Sequence, residues 1–74
     1  MEQTYLAIFR DAEGNQITFE RFGYKRLQTV CRALYKLLDN SLYRVCIKGA
    51  ESIDIYETAY SADGLEPILQ LGIK

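Results

Sequence analysis

Histidine and tryptophan are absent from this 74-residue chain, and it has only two cysteines and one proline. Without histidine it lacks the commonest general acid or base near neutral pH, and it cannot form Ser-His or Cys-His nucleophile pairs. Cys31 and Cys46 also lack the close spacing of a zinc site. We therefore expect a protein that is not an enzyme and that holds no cofactor and no metal.

The two cysteines are too few for a secreted disulfide scaffold. We expect Cys31 to pack in a core and Cys46 to be an inert small residue, although the accessibility of Cys46 stays open. No stretch approaches the roughly 18 apolar residues of a membrane span, and no secretory leader is visible. These absences predict a cytoplasmic protein with no membrane contact.

Other motifs of catalysis or nucleotide binding are missing too. Neither a GxxxxGK[ST] nor a GxGxxG pattern occurs. Asp54 and Glu57 fall on opposite faces of a predicted strand, and Asp63 and Glu66 lie at a predicted turn, where acids usually serve solvation. No carboxylate pair therefore suggests catalysis.

Charge order is the strongest positive signal in the chain. The net charge is −1, but residues 21–48 hold seven bases against one acid, a local charge of +6, while residues 1–20 carry −3 and residues 49–74 carry −4. The basic segment comprises Arg21, Lys25, Arg26, Arg32, Lys36, Arg44 and Lys48, with Asp39 as its acid. Such a block between two acidic ones is typical of a partner surface or of ion pairing within the chain.

Composition predicts one small folded domain over residues 1–74. The chain is 49% hydrophobic and contains six tyrosines and three phenylalanines, whereas disordered chains are poor in aromatics. A chain of this length buries only about 60% of its unfolded surface, so its stability is marginal and a homodimer would add core.

The first two elements read as a hairpin. Residues 4–10 are apolar on both faces, which favours a central strand and leaves open which face meets a helix. Residues 11–15 supply turn chemistry with Gly14 free to take positive φ, and residues 16–22 follow as the second strand. Its alternation predicts that Ile17 and Phe19 are buried and that Thr18 and Glu20 are exposed to solvent.

A helix from Lys25 to about Asn40 is predicted by an apolar stripe at steps of three and four, with Asn40 as a left-handed stop. The stripe consists of Leu27, Val30, Cys31, Leu34, Leu37 and Leu38. The opposite side shows Lys25, Gln28, Arg32 and Lys36. No Ser, Thr, Asp or Asn caps the start, and Lys25 and Arg26 lie where cations are unfavourable.

Residues 42–48 and 53–60 alternate and predict a second hairpin of two strands, in which Arg44, Cys46 and Lys48 share one face. Residues 61–64 form another turn signal. Residues 68–73 are predicted as a fifth strand held at an edge by Pro67, with a short helix as the alternative. The expected fold class is α+β: a two-layer sandwich of ββαββ(β) order, with one amphipathic helix on one face of a mostly antiparallel sheet.

In this arrangement the second sheet face is uncovered and exposes Arg44, Lys48 and Tyr56, with Tyr5 added if the first strand turns that way. The predicted partner-binding residues are Lys25, Arg26, Arg32, Lys36, Arg44, Lys48, Tyr5 and Tyr56. The partner is another protein, acidic or mixed in charge, or a second copy in a homodimer paired through the open face or the terminal edge.

We interpret the chain as a small non-enzymatic protein-binding module. Its motif-free composition resembles that of many small phage or mobile-element proteins that act as inhibitors or adaptors by occluding a partner's surface, and that resemblance assigns no residue a role. The alternative is a nucleic-acid-binding accessory protein that uses the basic helix face, with tyrosines stacking bases. A pI near 5.3 disfavours this alternative.

Overall fold

The computed structural model describes residues 4–23, 26–58 and 62–73. Their elements are β1 (Tyr5–Arg10), β2 (Gln16–Phe22), α1 (Leu27–Leu38), α2 (Ser41–Cys46), β3 (Ser52–Glu57) and β4 (Leu69–Gly72). The strands form one antiparallel sheet of order β2-β1-β3-β4. The helices pack against one face of this sheet and enclose the main hydrophobic core. The predicted two-layer α+β fold is confirmed, with a second helix in place of one predicted strand.

Strand β1 is the central strand, as its apolar pattern predicted, because it pairs with both β2 and β3. Tyr5, Ala7 and Phe9 point into the core beneath the helices. Leu6 and Ile8 point to the other face of the sheet, where each is 5% exposed or less. The face of the first strand that meets the helices is therefore the Tyr5 face.

The predicted turn between β1 and β2 is confirmed. Gly14 has φ +86°, and the Asp11 carboxylate accepts hydrogen bonds from the backbone N–H groups of Glu13 and Asn15, both at 2.9 Å. The Asn15 bond is the main cause that lowers the pKa of Asp11. A β-bulge follows: Phe9 pairs with Thr18 and Arg10 with Gln16, so that Ile17 is the extra residue.

The sides predicted for Phe19, Thr18 and Glu20 in β2 are wrong, and the predicted burial of Ile17 is wrong. Phe19 pairs with Ile8, so it lies on the face away from the helices and is 48% exposed, and Ile17 is 36% exposed. Thr18 and Glu20 lie opposite Phe9 and Ala7, on the helix side, and are half-buried. Because β2 is an edge strand, the helices cover it only partly, and hydrophobicity alone did not identify the inner side.

Helix α1 confirms the predicted stripe: Val30 and Leu34 are buried, and the rest of the stripe packs half-buried around them. Its start at Arg26 has no side-chain cap and its first turn has no acid, as predicted, while Lys25 lies outside the described residues. The left-handed stop predicted at Asn40 is wrong, because Asn40 has φ −84° and starts the next helix.

The strand predicted over residues 42–48 is wrong, because this segment forms helix α2. The Asn40 side chain accepts hydrogen bonds from the backbone N–H groups of Leu42 at 2.9 Å and Tyr43 at 3.2 Å, which caps the helix. Tyr43 and Ile47 are four residues apart and pack on the core, where the Tyr43 ring meets the edge of Phe9 with centroids 5.9 Å apart. The Tyr43 hydroxyl also donates to Glu20 at 3.2 Å.

The second predicted hairpin is therefore wrong as well, since β3 pairs with β1 rather than with residues 42–48. Within β3, Ile53 and Ile55 face the helices as predicted. The strand ends at Glu57, so its predicted continuation into Thr58 is wrong. The predicted end at Tyr60 and Ser61 of the following turn lie outside the described residues. The turn itself is present over residues 62–65, where Gly64 has φ +76°.

Strand β4 confirms the predicted edge strand near the end of the chain, and the alternative of a short helix is not formed. It pairs with β3 from Leu69 opposite Ile55 to Gly72 opposite Ser52. No helix in the described part of the chain could span a membrane.

We expect Asn40→Ala to lower the free energy of unfolding by about 1 kcal/mol, because it removes the cap of α2. Urea denaturation followed by circular dichroism measures the change. Ser41→Ala, at the neighbouring exposed position, is the matched control and should leave stability unchanged within about 0.5 kcal/mol. Equal stability of Asn40→Ala and the wild type would show that the cap does not hold α2.

Candidate functional site

The helical layer, residues 26–48, carries most of the basic segment. Its five bases, Arg26, Arg32, Lys36, Arg44 and Lys48, are all exposed, and Asp39 is its one acid. Arg44 and Lys48 belong to this layer because residues 42–48 are helical rather than part of the sheet. Lys25, the sixth predicted base, lies outside the described residues. The structure thus brings the five described bases of the predicted site to one layer.

On the outer surface of α1, Arg32 and Lys36 form no ion pair with any residue that the structure describes. With Thr29 and Ala33 they line a shallow concavity of about 260 Å³. Tyr35 is 57% exposed on the same helix. The charge of these two bases is therefore not neutralised by a contact with a described carboxylate.

Helix α2 has two apolar stripes, and only one of them is buried. Tyr43 and Ile47 face the core. The outward stripe consists of Leu42, Val45 and Cys46, which lie within one turn of each other on the other side. Leu42 is 79% exposed and Val45 is 72% exposed, more than any other large hydrophobic side chain in the described ranges.

Sequence reasoning missed the outward stripe because it assigned residues 42–48 to a strand. The signal was present in the sequence: Asn40 is a good helix N-cap, and Leu42 and Val45 are three residues apart. Cys46, whose accessibility was open, is exposed, and Cys31 is half-buried; both are free thiols.

The two tyrosines of the predicted site do not come together. Tyr5 is buried at 4% exposure beneath the helices, and Tyr56 is buried at 5% exposure on the opposite face of the sheet. The strongly exposed aromatic side chain of the helical layer is instead Tyr35.

The outer sheet face, which is the face turned away from the helices, is not bare as predicted. Leu6, Ile8 and Tyr56 form a small cluster there, each at most 5% exposed, and Ala62 packs against it from the loop after β3. The same chain thus covers much of the surface that the sequence assigned to a partner.

A polar network spans the outer sheet face. Arg10 donates from Nε to Asp54 Oδ2 at 2.9 Å, from Nη1 to the Gly14 carbonyl at 3.1 Å and from Nη2 to the Tyr56 hydroxyl at 3.2 Å. Gln70 donates to the other Asp54 oxygen at 3.0 Å. The hydrogen bond to Tyr56 is the largest cause of the raised pKa of Arg10. Burial lowers this pKa, but the Tyr56 and Asp54 interactions together raise it by more. This network ties β1, β3 and β4 together.

Beside the network lies an open-sided pocket of about 570 Å³. Leu6, Ile8 and Tyr56 line it together with the Arg10 and Arg21 side chains. Phe19 and Leu65, which are 48% and 47% exposed, also line it. The Arg21 guanidinium carbon lies 5.6 Å from the centroid of the Phe19 ring, a cation–π distance. No group of three or more thiols and carboxylates among the described residues could hold a metal ion.

We expect Arg10→Met to lower the free energy of unfolding by about 2–4 kcal/mol, somewhat less than for a fully buried pair, because it leaves the part-buried Asp54 carboxylate without its countercharge. Asp54→Leu should cost less, about 1.5–3 kcal/mol, because Arg10 is a quarter exposed. The double variant Arg10→Met/Asp54→Leu should lose less stability than the two single variants lose together, because neither charge is then left without its partner.

Urea denaturation of the wild type, both single variants and the double variant measures this coupling. Arg32→Met makes the same chemical change at an exposed base without an ion pair to the described residues, and should change stability by less than about 0.5 kcal/mol. Strictly additive losses in the double variant would show that the pair is not coupled.

Comparison with known proteins finds no relative: no family model, no curated protein and no solved structure matches the chain.

Proposed function

We propose that this protein is a small non-enzymatic, cytoplasmic protein-binding module that docks an acidic protein surface on its helical layer. The observation that carries the proposal is the exposure of Leu42 and Val45, at 79% and 72%, on the outward stripe of α2. The proposed role is that of an inhibitor or adaptor, which acts by occluding the partner's surface and needs no catalytic residue.

The outward stripe supplies the apolar centre of such an interface. Helix α2 is held in place by its Asn40 cap, the inward packing of Tyr43 and Ile47 and the Tyr43–Glu20 hydrogen bond. Leu42 and Val45 are therefore presented on a fixed helix rather than on a loop, which reduces the entropy lost on binding. Apolar side chains surrounded by polar groups are the common arrangement of protein interfaces.

The charges of the helical layer supply the rim and favour an acidic partner. Five exposed bases against one acid give residues 26–48 a net charge of +4. A second copy docked through the same layer would bring these bases against each other, and like charges across an interface are unfavourable. Charge thus favours a foreign, acidic protein on this surface over a homodimer.

A homodimer remains a separate proposal, through the edge of β4. This strand ends the sheet, and its outer edge pairs with no other described strand. Antiparallel pairing of two β4 strands would extend the sheet across a two-fold axis. The two surfaces are distinct, so a dimer of this kind would leave the helical layer accessible.

Nucleic acid is the second candidate partner of the helical layer. The observation that favours it is the exposure of Arg32, Lys36 and Tyr35 on α1, where two bases without ion pairs to described carboxylates lie near an aromatic ring suited to base stacking. The outward stripe of α2 argues for protein instead, because apolar leucine and valine side chains add nothing to phosphate binding.

We expect the double variant Leu42→Ser/Val45→Ser to weaken partner capture by about tenfold or more, because it removes the apolar centre of the interface. A photo-crosslinking residue placed at Arg44, next to the stripe, traps and identifies the partner in the native lysate. The rate of Cys46 alkylation gives a second readout, since a partner seated on the stripe should shield this exposed thiol.

Ile68→Ser is the matched control, because Ile68 is an exposed apolar residue at 46% that lies outside the helical layer. It should leave capture and Cys46 shielding unchanged. Loss of capture in both variants, or retention in both, would contradict the proposal. Crosslinks to nucleic acid, lost at high salt and in Arg32→Glu/Lys36→Glu but kept in Leu42→Ser/Val45→Ser, would replace it with the second candidate.

A further inference from the structure

The pocket on the outer sheet face is separate from the helical layer and independent of the function proposed for it. Its volume of about 570 Å³ lies within the range of small-molecule sites, roughly 300–1,000 Å³. Such sites combine apolar walls with a few fixed polar groups. Both kinds of group line this pocket, although its exposed surface is mostly polar. Three observations indicate what it would bind.

The first observation is the fixed position of Arg10. Its three hydrogen bonds, to Asp54, Gly14 and Tyr56, hold the guanidinium from three directions. A guanidinium has five N–H donors, so one on each terminal nitrogen has no partner among the described residues, and the side chain is 26% exposed. Two donors on neighbouring nitrogens are the pattern that a carboxylate accepts, and a guanidinium already held in place loses little freedom on binding.

The second observation is the β-bulge beside the pocket. The extra residue, Ile17, places Arg10 directly opposite Gln16, and both side chains line the pocket. A bulge bends its strand and redirects nearby side chains, and bulges are frequent beside functional sites. The bulge thus brings a charged group and an amide to the same wall.

The third observation is the composition of the remaining wall. Phe19 and Leu65 contribute half-exposed apolar surface from β2 and from the turn at residues 62–65. Among the described residues, the lining contains two bases, Arg10 and Arg21, against one acid, Asp63. Asp54 lies beneath, with one carboxylate oxygen bonded to Arg10 and the other to Gln70. With Asp54 counted, these charges balance, so the two remaining donors of Arg10 rather than a net positive charge would hold an anionic group. Phe19 and Leu65 supply the surface for an apolar body.

We propose that the pocket on the outer sheet face binds a small organic carboxylate, with the carboxylate at Arg10 and Gln16 and an aromatic or branched apolar body between Phe19 and Leu65. Asp54 partly offsets the positive charge of Arg10, so the affinity is modest. The bond network of Arg10 positions the ligand and exists before the ligand arrives.

Two-dimensional NMR of the isotope-labelled full chain tests the proposal with three probes: hydrocinnamate, its uncharged amide hydrocinnamamide, and acetate. Hydrocinnamate should give saturable shifts confined to amides of the pocket, with half-saturation below about 10 mM. Hydrocinnamamide should bind at least about tenfold more weakly, because it lacks the charge. Acetate should also bind at least about tenfold more weakly, because it lacks the apolar body.

Two variants separate the charge from the apolar contact without disturbing the buried Arg10–Asp54 pair. Arg21→Gln should weaken hydrocinnamate about threefold more than hydrocinnamamide, because the lost charge acts only on the charged probe, whereas the lost contact with Phe19 acts on both. Phe19→Ser should weaken both probes by about the same factor, since it removes apolar wall. Tyr35→Ser is the control and should change neither, because Tyr35 is an aromatic residue of the helical layer that is 57% exposed, against 48% for Phe19.

The proposal is overturned if hydrocinnamate gives no saturable shifts, if hydrocinnamamide binds equally well, or if the shifts fall on α1 and α2. Unchanged binding in Phe19→Ser would overturn it too. Because Leu42→Ser/Val45→Ser leaves the pocket intact, that variant should bind hydrocinnamate as the wild type does. Failure of the protein-binding proposal would therefore not decide this one.

Discussion

The structure depends on covering both faces of one strand, β1. Its side chains alternate between two apolar sets, with Tyr5, Ala7 and Phe9 on one face and Leu6 and Ile8 on the other. A chain of 74 residues forms a single layer of helices, and that layer covers only the first set. The second set must be covered by side chains of the sheet itself and by the loop after β3. This requirement explains why the two faces differ in chemistry.

The outer sheet face meets that requirement with a polar network instead of a second apolar layer. The Arg10–Asp54 pair, with Tyr56 and Gln70, fills the middle of the face and leaves no buried side-chain polar atom unsatisfied among the described residues. Buried ion pairs seldom add much stability, but they disfavour arrangements in which either charge is left alone. The network thus favours one register of β1 against β3 and fixes the wall of the adjacent pocket.

The two layers therefore present separate surfaces. On one side, the helical layer carries five exposed bases and an apolar stripe on α2. On the other, two guanidinium groups lie within a pocket of about 570 Å³. The elements that hold each surface differ: a helix cap and inward packing for the first, and strand pairing with a bulge for the second. A change at one surface should leave the other intact.

Much of this fold was predictable from the sequence, because periodicity and turn chemistry are local. The first hairpin, helix α1 and the edge strand β4 all lie where their patterns predicted. Residues 42–48 were not predictable in this way, since a pattern with Tyr43 and Ile47 buried fits both an alternating strand and a single helical turn. Asn40 caps α2, and the sequence did not reveal this role because asparagine is equally suited to end a helix.

The candidate sites were predictable only in part. Charge order located the bases of the helical layer, because these residues are close together along the chain. The sides of β2 and the environments of Tyr5 and Tyr56 depend on which strands are neighbours and on what crosses the sheet, and neither is a local property. The Arg10–Asp54 pair joins residues 44 positions apart and gave no signal in the sequence.

The long stretch of sequence between β1 and β3 also governs the order in which the chain can fold during synthesis. One edge of strand β1 has no pairing partner until β3 has left the ribosome. The hairpin of β1 and β2 therefore exposes the apolar side chains of β1 during synthesis. Closing so long a loop is slow compared with forming the hairpin or α1. The nascent polypeptide thus passes through a stage in which its middle strand is exposed to wrong partners, and chaperones that shield it there would raise the yield of native protein.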